Sequence, residues 1–314
     1  MNPMIEVLQQ QLAAITDECS DSRRWFHGRG RTWPGFEQIT VDWFDPVVWV
    51  TLFKPEETQD TEPEWLDAIR ALAETCGSRV AAVLVQRRFA GRSSCECIWG
   101  TEPAAVFAQR GNLRFGLQLG ERQNTGFFLD MEPGRRWLEQ QAAGRRVLNL
   151  FAYTCSLSVV AMAAGATSVV NVDMSSPALS QGRDNHRLNG QDTSSVRFLS
   201  ENILKAWGRI RRQGPYDLVV MDPPSFQKGS FVAQRDYPRL LRRVPELMPA
   251  GGDLLLSLNA PELPEAFLHE SLEAAGLNCP FIERLPAHPD FPDQDSERQL
   301  KLLHVRYCPP EVRS

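Results

Sequence analysis

The sequence predicts an α/β protein: a doubly wound, mostly parallel sheet of seven strands whose last strand is antiparallel, preceded by a small α+β domain. Three observations predict it. From about residue 147 onward, short apolar strand candidates alternate with helical stretches, which implies crossover connections and helices on both faces of a sheet. The first 125 residues lack that rhythm and mix strand candidates with two helices. Finally, residues 286–298, rich in Pro, Asp and Gln, replace a helix between the last two strand candidates, so the final strand returns antiparallel. The expected division is 1–125, an α+β domain, and 126–314, the wound-sheet domain.

Taken in order, residues 1–20 place Ile5, Leu8, Leu12 and Ile15 at helical spacing. Arg24-Trp25-Phe26-His27-Gly28-Arg29-Gly30-Arg31 reads as a basic, aromatic loop. Residues 38–53 read as two strands around Asp45-Pro46, and 63–74 as a helix burying Trp65, Ile69 and Leu72. A buried strand follows at 79–88, another strand at 92–99, and a hairpin of 104–109 with 112–119 around Gly111. The second-half strands are 147–151, 168–172, 195–199, 218–221, 253–257, 279–285 and 300–307.

Bulk properties narrow the function classes. The 314 residues are 42% hydrophobic and 23% charged, and no apolar run approaches the ~20 residues of a membrane span. The first residues lack the pattern of a secretory signal, and the seven scattered cysteines, Cys19 among them, suit reduced thiols, so a cytoplasmic protein is expected. No metal-ligand spacing is present, and no metal is expected. The net charge of −5 does not advertise nucleic-acid binding. Residues 205–243 nevertheless hold nine basic residues (Lys205, Arg209, Arg211, Arg212, Lys228, Arg235, Arg239, Arg242, Arg243) against three Asp, a local +6. Solvated helix faces and an RNA-binding patch both remain open for it.

In a doubly wound sheet, ligands sit outside the carboxyl ends of the strands, where strand order reverses. The chemistry-bearing residues follow the strands here. After the first comes Asn149-Leu150-Phe151-Ala152-Tyr153-Thr154-Cys155-Ser156, a turn that could pass under a cofactor or be a plain connection. After the second comes Asp173-Met174: a carboxylate able to accept from ribose hydroxyls, or a helix cap, beside an apolar thioether suited to an adenine ring. After the third, Glu201 or Asn202 could accept from an adenine amino group, or Asn202 could cap a helix. After the fourth, Met221-Asp222-Pro223-Pro224-Ser225-Phe226 is the sharpest signal. Two prolines cannot extend a strand and expose carbonyls without N–H groups, a rigid rim for an amine or a nucleobase edge. The phosphate-cradling glycines of a dinucleotide site are missing, which favours a nucleoside cofactor without phosphate.

With these residues in view, residues 113–307 resemble the YccW-like bacterial 23S ribosomal RNA large-subunit methyltransferases, a class I, Rossmann-like family using S-adenosylmethionine. The carrying segments are Asn124-Thr125-Gly126-Phe127-Phe128-Leu129-Asp130, Val147–Thr154, Val170–Ser175, Asn185–Gly190 and Asp222–Phe226. The resemblance implies that Thr125, Phe128 and Asp130 form a strap before the sheet, and that Asn149, Phe151, Tyr153, Thr154, Cys155 and Ser156 line the methionine and ribose side. It further implies that Asp173 holds the ribose, Met174 flanks adenine, and Asn202 stands where the family usually has Asp. Asp222, Pro223, Pro224 and Phe226 would meet the methyl group and the target base.

Two departures follow. Cys155 stands where the family has glycine, so its side chain is expected to crowd the cofactor side of the turn. Members that methylate cytosine C5 carry a nucleophilic cysteine after the fifth strand, whereas this chain reads Leu256-Ser257-Leu258-Asn259-Ala260-Pro261. Cytosine C5 needs thiolate addition at C6, so that chemistry is disfavoured. Guanine N7 has a free lone pair and needs alignment more than a base. The N7 members share Asn259, which either orients the base or caps a loop. The resemblance thus implies methyl transfer to a nucleobase nitrogen in 23S rRNA, with a protein or small-molecule amine and a non-catalytic RNA-binding module as alternatives. Arg24–Arg31, with Trp25, Phe26 or Trp33 stacking on bases, and the 205–243 patch are the candidates to hold RNA, with a solvated, partly core-packed loop as the alternative at Arg24–Arg31. No pseudouridine-synthase-type RNA-binding module is expected, and assembly as a homodimer stays open.

Overall fold

The computed structural model describes residues 2–14, 21–54, 62–89, 94–120, 123–227 and 231–310. Ile15, Cys19, Arg92 and Lys228 lie outside the described residues. The chain divides into two compact units, residues 1–129 with 289–295, and residues 130–288 with 296–314. No helix among the described residues is long and apolar enough to cross a membrane.

In the first unit, α1 (Pro3–Ala13) begins with Asn2 accepting from the Met4 N–H at 3.0 Å. Five strands form one sheet in chain order: β1 (Arg23–His27), β2 (Ile39–Phe44), β3 (Val47–Leu52), β4 (Ala82–Arg87) and β5 (Ser94–Gly100). Only β3 and β4 are parallel, because α2 (Glu62–Thr75) connects them. Met4, Leu8 and Leu12 of α1 and Trp65, Leu66 and Ile69 of α2 bury the apolar side of this sheet. A separate hairpin, β6 (Phe107–Arg110) with β7 (Leu113–Gly116), turns at Gly111.

The expected basic loop at Arg24–Arg31 is corrected: it is strand β1 and a tight turn. The pairing of β1 with β2 slips by one residue between Arg24 and Phe26. A slip of this kind breaks the alternation of faces, and Trp25 and Phe26 are both buried. Trp25 stacks on Trp43 with ring centroids 4.7 Å apart, and Trp33 packs on Phe26 at 5.8 Å. Neither Trp25 nor Phe26 is available to a base. The cations are also engaged. Arg24 forks onto Asp42 at 2.7 and 2.9 Å, Arg23 onto Asp290, and Arg31 meets Asp293 at 2.7 Å. The Gln294 N–H donates to the Gly30 carbonyl at 2.9 Å. A Cβ at position 30 would lie 1.7 Å from the Pro292 carbonyl oxygen, so this approach admits only glycine.

The second unit opens with α3 (Glu132–Gln141) and then winds its sheet. The elements are β8 (Arg146–Leu150), α4 (Ser156–Ala163), β9 (Ser168–Asp173), α5 (Ser176–Leu188), β10 (Val196–Ser200), α6 (Trp207–Arg211) and β11 (Leu218–Met221). A small hairpin, β12 (Phe226–Gln227) with β13 (Phe231–Val232), precedes α7 (Ala233–Leu241) and α8 (Val244–Leu247). The remaining elements are β14 (Gly252–Leu258), α9 (Ala266–Ala274), β15 (Phe281–Arg284) and β16 (Lys301–Tyr307). Spatial order is β10-β9-β8-β11-β14-β16-β15. The last strand is antiparallel, as expected, but inserts between β14 and β15 rather than adding at the edge. Order reverses between β8 and β11, each parallel to the other.

Because Trp25 is a core stacking partner, Trp25→Ala should cost about 3–5 kcal/mol of stability. Chemical denaturation monitored by tryptophan fluorescence reads this; loss of RNA affinity at unchanged stability would contradict it.

Candidate functional site

The strand register brings five segments to one edge of the second sheet. Met221 lies beside Leu150, Leu150 beside Val172, and Asp173 beside Ser200. Beyond β11, Pro224 bridges Asn259 at the end of β14. Along this edge the chain therefore presents Glu201 and Asn202, then Asp173, then the turn after β8, then Asp222, then Asn259.

The turn after β8 is the unusual element. Phe151, Tyr153 and Cys155 all have positive φ, at 61°, 48° and 61°. Left-handed backbone costs a non-glycine residue about 1–3 kcal/mol, so the surroundings must enforce it. They do so through hydrogen bonds. The Ala152 N–H donates to the Val172 carbonyl at 3.1 Å, and the Tyr153 N–H donates to Asp173 Oδ2 at 2.8 Å. The Asn185 amide of α5 donates to the Thr154 carbonyl at 2.9 Å. Cys155 is fully buried with Leu179, and a Cβ on Gly182 would lie 2.4 Å from its Sγ. The expected crowding of the cofactor side is thus corrected: the thiol occupies the notch that Gly182 leaves in α5. A φ of 61° is a conformation that glycine adopts without the steric cost of a Cβ. Burial pushes the Cys155 thiol well up, and the nearby Asp173 adds to this, so it stays protonated and unreactive.

Asn149 is also corrected. It is 2% exposed inside β8, where strand alternation turns it into the helix-covered layer. Its amide donates to Asn171 Oδ1 at 2.9 Å, Asn171 donates to Ser158 Oγ at 2.9 Å, and Ser158 meets His186 Nε2 at 2.9 Å. Burial lowers His186 to a pKa of about 4, so this polar network is neutral at pH 7. Thr154 is buried as well, while Ser156 opens α4 and its hydroxyl accepts from the buried Arg135 at 3.3 Å.

Asp173 receives one backbone N–H on each oxygen, Tyr153 on Oδ2 and Ser175 on Oδ1, both at 2.8 Å. A carboxylate has about four acceptor positions, so two remain for hydroxyls. Met174 is 46% exposed, a large apolar surface at the strand end. Asn202 precedes a short helical turn, but its side chain makes no cap hydrogen bond. These features fit a nucleoside with a free ribose and an adenine.

At the rim, the Asp222 N–H reaches the Leu150 carbonyl at 3.5 Å, and the Ser257 hydroxyl donates to Asp222 Oδ1. Burial pushes Asp222 up to a pKa of about 6; the Ser257 hydrogen bond opposes this, Asp130 adds to it and Arg135 offsets it. Asp222 is therefore ionised at pH 7 and protonated below about 6. Phe226 is 66% exposed, and Asn259 is exposed beside Pro224. Thr125 and Phe128 belong to the first unit, where the Thr125 hydroxyl faces the Phe127 carbonyl at 3.4 Å.

The 205–243 patch is largely neutralised. Arg209 pairs with Glu201, Arg211 and Arg243 with Glu246, and Arg235 and Arg239 with the buried Asp236 at 2.7 and 2.8 Å. Lys205, Arg212 and Arg242 are exposed and make no ion pair among the described residues. Sequence reading missed Ser257, Gly182 and Arg135. Only Ser257 left a trace, as a lone hydroxyl within the apolar run Leu254-Leu255-Leu256-Ser257-Leu258.

A family profile described as S-adenosylmethionine-dependent methyltransferase matches residues 23–306. Ribosomal RNA large subunit methyltransferase K/L of Shewanella loihica is 37% identical over 256 residues, 78% of this chain and 35% of the relative. Ribosomal RNA large subunit methyltransferase I of Aeromonas hydrophila is 31% identical over 237 residues, 72% of this chain and 59% of the relative. The chain thus spans less than two thirds of either relative. An S-adenosylmethionine-dependent methyltransferase structure from Streptococcus mutans superposes with a TM-score of 0.83 at 22% identity, covering 97% of this chain and 81% of that one. That likeness shows a shared fold.

Two outcomes are expected from this geometry. Gly182→Ala should destabilise by about 1–3 kcal/mol through the clash with Cys155, and adding Cys155→Gly should restore most of it, as thermal melts of the double-mutant cycle would show. The raised Asp222 pKa favours the folded state below the ordinary carboxylate range, and this advantage is lost as pH rises through about 6. Asp222→Asn should therefore be more stable than the parent above pH 6, by up to about 3 kcal/mol, with the difference fading towards pH 4. A pH-independent difference in melting temperature would contradict this.

Proposed function

The chain belongs to the S-adenosylmethionine-dependent methyltransferase family, and from that premise we propose that it methylates a nucleobase, at a ring or exocyclic nitrogen, in 23S ribosomal RNA. The observation that carries this reading is the Asp222-Pro223-Pro224 rim, standing across the sheet reversal from the left-handed turn after β8.

S-adenosylmethionine supplies an electrophilic sulfonium methyl group. Asp173 would take the ribose hydroxyls on its two remaining acceptor positions, Met174 would flank the adenine, and Asn202 would accept from its amino group. The turn from Phe151 to Ser156 would carry the methionine side. Asp222 and the Pro223 and Pro224 carbonyls, acceptors fixed in place, would hold N–H groups of the target base and so orient its reacting nitrogen. Phe226 would offer its exposed ring to the base, and Asn259 would hold the base edge beside Pro224. A nitrogen lone pair attacks in line, so the protein contributes alignment and exclusion of water rather than a nucleophile. The buried, protonated Cys155 supports this against cytosine-C5 chemistry. Lys205, Arg212 and Arg242 are available for phosphates, and the first unit for further RNA contacts.

The test is transfer of a radiolabelled methyl group to ribosomal RNA, to ribosomal particles and to total protein, followed by mass-spectrometric mapping of the modified nucleotide. Label in RNA at a nitrogen is expected; label in protein alone would overturn the substrate. Asp173→Ala should weaken S-adenosylmethionine binding about tenfold or more by calorimetry. Asp222→Ala should lower turnover on the order of 100-fold with cofactor affinity nearly unchanged. Parent-like behaviour of both variants would count against the assignment.

A further inference from the structure

We propose that Ser257 is a positioning residue for the transfer reaction: its hydroxyl holds Oδ1 of Asp222 and so leaves Oδ2 as the acceptor available to substrate. This rests on the reading of Asp222 as a group at the methyl-transfer rim.

Ser257 is fully buried in β14, one residue beyond the Leu256–Met221 register pair, which sets it beside Asp222. Its hydroxyl donates to Asp222 Oδ1, while its own carbonyl accepts from the Tyr237 hydroxyl of α7 at 3.0 Å. The serine is thereby held from both sides. Oδ2 of Asp222 makes no hydrogen bond among the described residues, and the residue is half-buried. The torsion that turns an Asp carboxylate is broad and roughly two-fold, so a free carboxylate would sample both faces. One donated hydrogen bond from a buried, pinned hydroxyl removes that freedom.

The same bond sets the protonation of Asp222. Three other groups act on it or face it: Asp130 ahead of α3, whose charge raises its proton affinity; Arg135 of α3, which lowers it; and Tyr237 of α7. Burial keeps the Tyr237 hydroxyl protonated, so it adds no charge. The Ser257 hydrogen bond favours the ionised carboxylate. Losing it should therefore raise the pKa of Asp222 and narrow the pH range in which the acceptor is charged.

The experiment compares the full chain with Ser257→Ala, Ser257→Cys and Ser257→Thr. The near-isosteric Cys, a weak donor, stands in if Ala does not fold. Methyl transfer to ribosomal RNA is followed from pH 5 to 9. The Asp222 carboxyl carbon is titrated by 13C NMR, assigned through Asp222→Asn. Expected for Ala is a turnover lower by about tenfold, cofactor affinity unchanged, and both the acid limb and the carbon titration moved to higher pH. Thr should restore all of these. Parent-like turnover with an unmoved acid limb would overturn the proposal, as would lost turnover with an unmoved titration and no recovery in Thr. Should the parent methylate no RNA, the carbon titration still decides: an unmoved titration in Ala defeats the role of Ser257, and a moved one leaves the substrate reading as the part that failed.

Discussion

The candidate site depends on a backbone constraint: the chain leaves β8 through three residues of left-handed conformation, none of them glycine. Such a path persists only where neighbours insist on it. Here Asp173 holds the Tyr153 N–H, Asn185 holds the Thr154 carbonyl, and α5 gives up a side chain at Gly182 to seat Cys155. One carboxylate therefore has two duties. It fixes the turn and the start of the next segment with one acceptor position on each oxygen, and in the proposed function the others would take the ribose. The buried chain Asn149, Asn171, Ser158 and His186 ties β8, β9, α4 and α5 together behind that turn. A buried hydrogen-bonded chain of this kind restrains the elements it joins, although the Asn149 side-chain oxygen has no partner.

Much of this was legible from residue order. Strand and helix alternation placed every strand of the second sheet, and the geometry of wound sheets pointed to the strand ends as the place to look for a site. Asp173, Met174, Asn202 and Asp222 do lie along one edge. What sequence could not reveal was which way side chains turn where regular alternation breaks. Trp25 and Phe26 looked like an exposed recognition loop because a basic residue flanks each side; the register slip in β1 buries both. Cys155 looked like an obstruction because its partner, Gly182, is 27 residues away in sequence and meets it only in the fold. Asn149 looked like a lining residue of the turn, yet strand alternation turns it into the buried layer beside Asn171.

The arginines teach a related lesson about charge. Composition counts cations, whereas recognition depends on those left uncommitted. Asp236, buried and held well below the usual carboxylate range first by its Arg235 hydrogen bond, takes up Arg235 and Arg239 together and also accepts the Val232 N–H. Through that Val232 bond, Asp236 anchors the end of β13, which pairs with the strand that carries Phe226. A cluster that reads as a binding patch is in good part scaffolding for the rim.

The return of residues 289–295 to the first unit has a bearing on biogenesis. Arg23 and its partner Asp290 are 267 positions apart. At ordinary elongation rates the arginine leaves the ribosome roughly 13–53 s before the aspartate does. The edge strand β1 must therefore wait for the partner of Arg23, and the Gly30 carbonyl beyond it for Gln294, until residues 289–295 have been made. The first unit is completed only by a segment made after most of the second, so termination before residue 289 is a defect of both units.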